Sequence, residues 1–228
     1  MTFDKGARMK LGLAAIAAMV ATMPAPAASD RIADFRVGGV SFSLPLPTGY
    51  CLPIGAQADI AQVLAAADTV NVTVLTLNRC DGAVVKGAGD YTLIKAPIST
   101  LVRTIDRATL IDELGKAFAD TDAMKALRDK SVNDAAGSLE KLGGPKLNMT
   151  GGLLPRGRDE VCGYMGGASH VASGAIEYDQ AVGSCITAVG GRVIVIHRYG
   201  TRVDDTGVLK LMREARAMAL SIKTISGT

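Results

Sequence analysis

Four cysteines, Cys51, Cys80, Cys162 and Cys185, constrain the fold of this 228-residue chain more than any other feature. They permit three disulfide connectivities, and an even number of cysteines is typical of a disulfide framework in an exported protein. The C-x-x-C spacing of redox pairs and the close Cys/His pairs of zinc sites are absent from the sequence. We therefore expect structural disulfides, with a free catalytic cysteine as the alternative.

A turn signal favours the sequential pairing of these cysteines. Ser173-Gly174 is a plausible two-residue turn, and a hairpin centred on it places Cys162 directly opposite Cys185. Directly opposed cysteines can bridge where two strands come closest. Cys51 and Cys80 would then close a loop in the N-terminal half, which stabilises the fold by about 3 to 4 kcal/mol in the chain-entropy model.

The first thirty residues predict export. Lys5, Arg8 and Lys10 precede an apolar run over residues 11–21, and small residues in an A-x-A arrangement end at Ala27. The run is shorter than the about 20 residues that a transmembrane helix needs. We expect a signal peptide over residues 1–27, cleaved near Ala27, and a mature chain, 28–228, that is periplasmic or secreted.

Composition excludes several classes of partner. The chain is 48% hydrophobic, and 25 Lys and Arg against 22 Asp and Glu leave a net charge of +3. That is a folding composition without the basic excess that nucleic acids or anionic membranes attract. No later segment of the sequence is apolar for long enough to span a bilayer. We expect no nucleic-acid partner, no stable membrane insertion of the mature form, and no cofactor.

Hydrophobic periodicity predicts strands, a helix, two strands, two helices, three strands and a final helix. The predicted helices are 56–67, with the apolar stripe Ile60, Val63, Leu64 and Ala67, a second capped by Asp106, a third over 122–142, and a last capped by Asp204. Val193 to Ile196 is apolar on both faces, which indicates a central strand, and residues 146–158 are expected to form a connection. We predict one α+β domain in which helices cover a mostly antiparallel sheet, an α/β/α-type sandwich.

This order resembles the PsbP-like group, the extrinsic photosystem subunits and their exported bacterial relatives. The resemblance lies in the opening 40–45 (Val-Ser-Phe-Ser-Leu-Pro), in the strand 71–75, and in two strands joined at a glycine turn, 186–196, that lead into a terminal helix. It implies an antiparallel sheet between helices and a non-catalytic accessory or binding module. It implies no site residue, because no position matches a family site.

Both histidines of the sequence have predicted cross-strand neighbours. The Ser173-Gly174 hairpin places His170 opposite Glu177, and a turn at Gly190-Gly191 places His197 opposite Ser184. The His170–Glu177 pair is a candidate for a general base next to a carboxylate. The His197–Ser184 pair is a candidate for a nucleophile next to its base. Because no G-x-S-x-G elbow or H-E-x-x-H motif accompanies them, we interpret them as ordinary sheet pairs, and we expect no metal site.

Basic residues are interspersed with acids, which favours a solvated surface. These basic residues are Lys86, Lys95, Arg103, Arg107, Arg156 and Arg158.

Two functions remain open. The first is an exported, disulfide-braced binding or accessory protein that acts on a protein or cell-envelope partner. It predicts an exposed apolar patch. The second is a small periplasmic hydrolase or thiol-redox enzyme that uses His197 with Ser184, or one of the cysteines. It predicts that these groups converge on a cleft.

Overall fold

The structure is a computed structural model that describes residues 31–81, 89–126, 128–129, 148–174 and 176–225. The signal peptide predicted over 1–27 lies outside the described residues. The helix predicted over 122–142 falls partly outside them, although residues 121–126 and 128–129 are helical. The assignment of 28–228 to one domain stays a prediction.

The described chain contains eleven strands, which vary in length from two to fourteen residues. They are β1 Ile32–Val37, β2 Val40–Pro45, β3 Tyr50–Cys51, β4 Asn71–Arg79, β5 Tyr91–Pro97, β6 Asn148–Gly151, β7 Leu154–Arg158, β8 Gly163–Ser173, β9 Ile176–Val189, β10 Arg192–Gly200 and β11 Lys223–Thr224. Helices α1 Ala56–Ala67, α2 Arg107–Ala119 and α3 Asp205–Ser221 lie between them, with a short 3₁₀ turn at Ile98–Thr100.

Most strands form one antiparallel sheet in the order β3-β4-β5-β10-β9-β8-β6, and β7 also pairs with β8. The β1–β2 hairpin and β11 form a separate small sheet. Strand β10 lies between β5 and β9, which confirms the prediction of a central strand. Its residues alternate between the two faces of the sheet, and both faces are covered.

The layers on the two faces follow from this alternation. On one face, Ile194 and Ile196 pack in a core with Ala215 and Met218 of α3 and with the β1–β2 hairpin. On the other face, Val193 packs against Leu110 of α2. The predicted α+β fold, with helices covering a mostly antiparallel sheet, is confirmed.

A side-chain cap starts helix α3, and a glycine on β9 lets the helix lie close to the sheet. The Asp204 carboxylate accepts a hydrogen bond from the Gly207 amide at 2.7 Å, as the capping prediction requires. A Cβ at Gly183 would lie 2.5 Å from the backbone nitrogen of Met212, so a larger residue there would push the helix off the sheet.

The prediction that residues 146–158 form only a connection is wrong. They contain β6 and β7, which pair with different parts of β8. Positive φ angles at Gly151 and Gly152 turn the chain between them. These strands were hard to predict because their residues are mostly exposed, so the sequence lacks the alternation of a half-buried strand.

The predicted turn at Ser173-Gly174 is displaced by one residue. Ser173 pairs with Ile176, so Gly174, with a φ of +57°, is the first residue of the connection rather than the second. Consequently His170 opposes Asp179 and not Glu177, and Cys185 opposes Tyr164 and not Cys162. The Gly190-Gly191 turn is confirmed, because glycine fills both positions that need positive φ.

Candidate functional site

All four cysteines form disulfides, with the sequential pairing that the spacing favoured. Cys162 immediately precedes β8, and despite the shifted register its Cα lies 5.2 Å from that of Cys185. Both of these cysteines are fully buried in the main core. The second disulfide, Cys51–Cys80, ties β3 to the end of β4, and Cys80 is exposed.

Ser184 and His197 meet as the register of β9 and β10 predicts. The Ser184 Oγ lies 2.7 Å from the His197 Nδ1, and Ser184 has no exposed surface. Burial lowers the pKa of His197 to about 3, and nearby Lys95 adds to the effect. A neutral imidazole with so low a pKa is a poor general base at neutral pH. The pair therefore forms a cross-strand hydrogen bond in which the serine hydroxyl has no surface open to a substrate.

A carboxylate lies in the surroundings of His197 but is engaged elsewhere. Asp68 accepts hydrogen bonds from the backbone amide of Asn71 at 2.9 Å and from the Lys95 ammonium at 2.6 Å. Both partners of the Lys95–Asp68 ion pair are largely buried. Asp68 thus orients Lys95 rather than the imidazole.

His170 lies on the surface between two acids. Its Nδ1 is 2.8 Å from the Asp179 carboxylate, and its Nε2 is 3.3 Å from that of Glu177. The sequence found Glu177 as a neighbour through the wrong register, and it missed the directly opposed Asp179. In the part of the chain that the structure describes, no group of three or more His, Cys, Asp or Glu side chains could hold a metal ion.

Arg198 is a buried charge that sequence reasoning missed. Its guanidinium donates to the Glu214 carboxylate at 2.8 Å, to Asp90 at 3.0 Å and to the Thr92 hydroxyl at 2.6 Å. The ring of Tyr50 covers it, with 4.4 Å between the guanidinium carbon and the ring centroid. Burial disfavours this charge, but hydrogen bonds with Glu214 and Tyr50 outweigh it and raise the pKa of Arg198. Because the guanidinium is satisfied within the fold, we assign it a structural role.

Helix α1 buries none of its side chains. Its predicted apolar stripe is exposed: Ile60 is 60%, Val63 52% and Leu64 50% accessible. The helix was predicted correctly, but its stripe faces solvent and not the core. Ile54 before the helix and Val70 after it are also exposed. We call Ile60, Val63 and Leu64 the α1 face.

No described helix is both long and apolar enough to cross a membrane. The two disulfides fit an extracytoplasmic protein, because such compartments are oxidising.

Comparison with known proteins gives a fold likeness. No family model matches the chain, and no curated protein matches its sequence. Among solved structures, the chain is similar to the solution structure of cyanobacterial PsbP (CyanoP) from Synechocystis sp. PCC 6803. The sequences are 12% identical, the match covers 81% of this chain and 86% of that one, and the TM-score is 0.32. The weak architectural resemblance to the PsbP-like group is thereby confirmed.

Proposed function

We propose that the chain is an exported, non-catalytic binding module whose α1 face docks on a protein partner with an apolar, uncharged surface. The observation that carries this proposal is a complete helix that exposes three large apolar side chains while burying none. Exposed apolar groups that cluster on one element mark interaction sites more often than exposed apolar residues scattered singly.

The charge of α1 supports a protein as the occupant. Asp59 is the one ionisable residue among the twelve of the helix, which contains neither lysine nor arginine. Helices that lie on membranes combine an apolar face with basic residues, and nucleic-acid surfaces require basic residues throughout. A partner surface that is also apolar and uncharged can pack on the α1 face without burying an unpaired charge.

The buried positions of the chemical groups weigh against the enzymatic alternative. A hydrolase needs its nucleophile in a cleft, but Ser184 is fully buried against His197. A thiol enzyme needs a thiolate, but every cysteine is in a disulfide. We therefore keep the hydrolase and the thiol-redox enzyme as outcomes of the tests below.

Export belongs to the same proposal and can be tested by itself. We propose that residues 1–27 are a signal peptide, and we expect protein recovered from the periplasm to have an intact mass that starts at Ala28. A mass that retains Met1 in protein from the cytoplasm alone would overturn this part. That result would not affect the docking proposal, which a separate experiment tests.

Docking can be tested with a photo-crosslinking residue at position 64 in the exporting cell. The crosslinked partner is identified, purified and titrated against three forms of the protein. These are the unsubstituted chain, I60Q/L64Q, and a control, V102Q/L220Q, which changes two apolar residues exposed elsewhere. We expect I60Q/L64Q to weaken binding by about tenfold or more, as for the central residues of an interface. The control should bind normally.

Other occupants give distinct results. Equal binding by I60Q/L64Q and by the unsubstituted chain would overturn the α1 face as the docking site. Sedimentation showing a dimer that I60Q/L64Q dissociates would place a second copy there instead of another protein. Hydrolytic or disulfide-exchange activity that H197Q or C51S/C80S abolishes would overturn the non-catalytic assignment.

A further inference from the structure

A groove between β7 and α3 concentrates positive charge in an otherwise nearly neutral protein. It is a cavity of about 450 Å³, within the range of small-molecule sites. The described residues that line it include four arginines, Arg156, Arg158, Arg213 and Arg216, against the single carboxylate of Asp159.

The periodicity of α3 builds one wall of this groove. Leu209, Met212, Arg213 and Arg216 are spaced by three, four and seven residues, so they share one face of the helix. Strand β7 brings Arg156 and Arg158 to the opposite wall. Tyr164, with Leu209 and Met212, supplies an apolar part of the lining.

The negative charge of Asp159 offsets only one of these four positive charges, and its carboxylate is already fully hydrogen-bonded. One oxygen accepts from the backbone amides of Val161 and Cys162, each at 2.8 Å. The other accepts from the Tyr164 hydroxyl and the Arg216 Nε, each at 2.7 Å. Arg216 is thereby paired with Asp159 and also lies 2.6 Å from Glu160, whereas the other three arginines lack an ion pair this close.

Those three arginines are weakly engaged. Arg213 has no hydrogen-bond or ion-pair partner in the described part of the chain. Arg156 lies 3.3 Å from Asp205, which is 81% exposed. Arg158 lies 4.0 Å from Asp112, which is 55% exposed. Exposed pairs of this kind contribute little, so a bound anion can replace them.

We propose that this groove binds a phosphate monoester, with Arg156 and Arg213 holding the phosphate from opposite walls. A phosphate monoester carries nearly two negative charges at neutral pH and three acceptor oxygens, which suits several guanidinium groups. Its organic part would lie on Tyr164 and Met212. This site is separate from the α1 face, and the two proposals stand independently.

The test is calorimetric titration of the purified full chain with phenyl phosphate, with inorganic phosphate as competitor. The variant R156Q/R213Q removes one arginine from each wall and leaves the Arg216–Asp159 contact intact. The control R36Q/R103Q removes the same charge at two exposed positions outside the groove. Thermal unfolding of all three proteins verifies that they are folded.

We expect saturable binding that inorganic phosphate displaces, weakened about tenfold or more in R156Q/R213Q and unchanged in the control. Sedimentation with phosphatidylcholine vesicles, with and without phosphatidic acid, distinguishes two sources of the phosphate. Binding to phosphatidic acid that R156Q/R213Q abolishes identifies a lipid headgroup, and binding of phenyl phosphate alone identifies a soluble compound. No saturable binding of either probe, or equal weakening in the control, would overturn the proposal.

Discussion

The Arg198 guanidinium lies 2.8 Å from the Glu214 carboxylate and joins the central strand β10 to helix α3. The arginine side chain is 5% exposed and the glutamate 36%. Breaking a buried, hydrogen-bonded pair leaves the remaining charge without its partner, which costs more than losing a surface contact. Arg198 also donates to Tyr50 of β3 and to Thr92 of β5, so one side chain connects four elements of the chain.

Replacing this arginine should destabilise the protein strongly. We expect R198M to lower the free energy of unfolding by about 3 kcal/mol, because Glu214 and Asp90 lose their common partner. The control is K210M, since Lys210 also approaches Glu214, at 3.8 Å, but is 69% exposed. It should change stability by about 0.5 kcal/mol or less. Urea unfolding measures both, and equal midpoints for the two variants would contradict the assignment.

Protonation of Asp159 should lower the stability of the protein at acidic pH. Burial alone would raise the pKa of Asp159, but hydrogen bonds from Tyr164 and the Cys162 and Val161 amides lower it from 3.8 to about 2. Since the folded protein holds this proton more weakly than the unfolded chain, the stabilisation is complete above about pH 4 and is lost as the pH falls to about 2. We expect D159N to be about 2 kcal/mol less stable at pH 7.

The pH profile separates this effect from a general loss of packing. The difference between D159N and the unsubstituted chain should shrink between pH 4 and pH 2 in denaturant titrations, over the window that the lowered pKa defines. D34N, at an exposed position on β1, is the matched control for the removal of one carboxylate. A difference for D159N that stays constant down to pH 2 would show that the hydrogen bonds to the ionised carboxylate are not its cause.

The stabilisation linked to His197 should be lost at a higher pH than the stabilisation linked to Asp159. Because burial lowers its pKa from 6.5 to about 3, the unfolded chain takes up this proton first as the pH falls. The contribution of neutral His197 to stability is complete above about pH 6.5 and is lost towards pH 3. The free energy of unfolding should therefore fall by about 2 kcal/mol between pH 7 and pH 4.5. H197Q should lose this dependence. The ring-proton signals of His197 should stay constant from pH 7 to pH 5, and a midpoint near 6.5 would refute the assignment.

The two disulfides should differ in their resistance to reduction. Cys80 is exposed, and the Arg31 guanidinium lies 2.8 Å from the Cys51 sulfur, where it would stabilise a thiolate. Cys162 and Cys185 have no exposed surface. Under native conditions a mild thiol reductant, followed by alkylation and peptide mass spectrometry, should label Cys51 and Cys80 first. Labelling of Cys162 and Cys185 at the same rate would show that global unfolding limits both.

Much of the fold was predictable where a local signal decided the structure. The Gly-Gly turn at 190–191 set the register that joins Ser184 to His197, and Asp106 and Asp204 cap helices as predicted. The Ser173-Gly174 turn failed, because a single glycine does not specify which of the two turn positions it takes. Because of that error, Glu177 was predicted opposite His170, where the structure has Asp179.

The candidate sites depended on distant residues. An apolar stripe predicts that α1 is a helix, but periodicity does not specify whether another element covers the stripe. Arg156 and Arg158 had the same surface character in the sequence as Arg103. They are distinguished by Arg213 and Arg216, which α3 brings to the same groove from over fifty residues away.

The sequence by itself determined helices α1, α2 and α3, the central strand and the Gly190-Gly191 turn, because each depends on residues only a few positions apart. It favoured the cysteine pairing that forms without excluding the other two connectivities. Only the tertiary structure decided that the α1 face stays exposed, that Arg198 is buried with Glu214, and that four arginines share one groove. The physical reason is that burial and charge are properties of the surroundings of a side chain, and packing brings those surroundings together from remote parts of the chain.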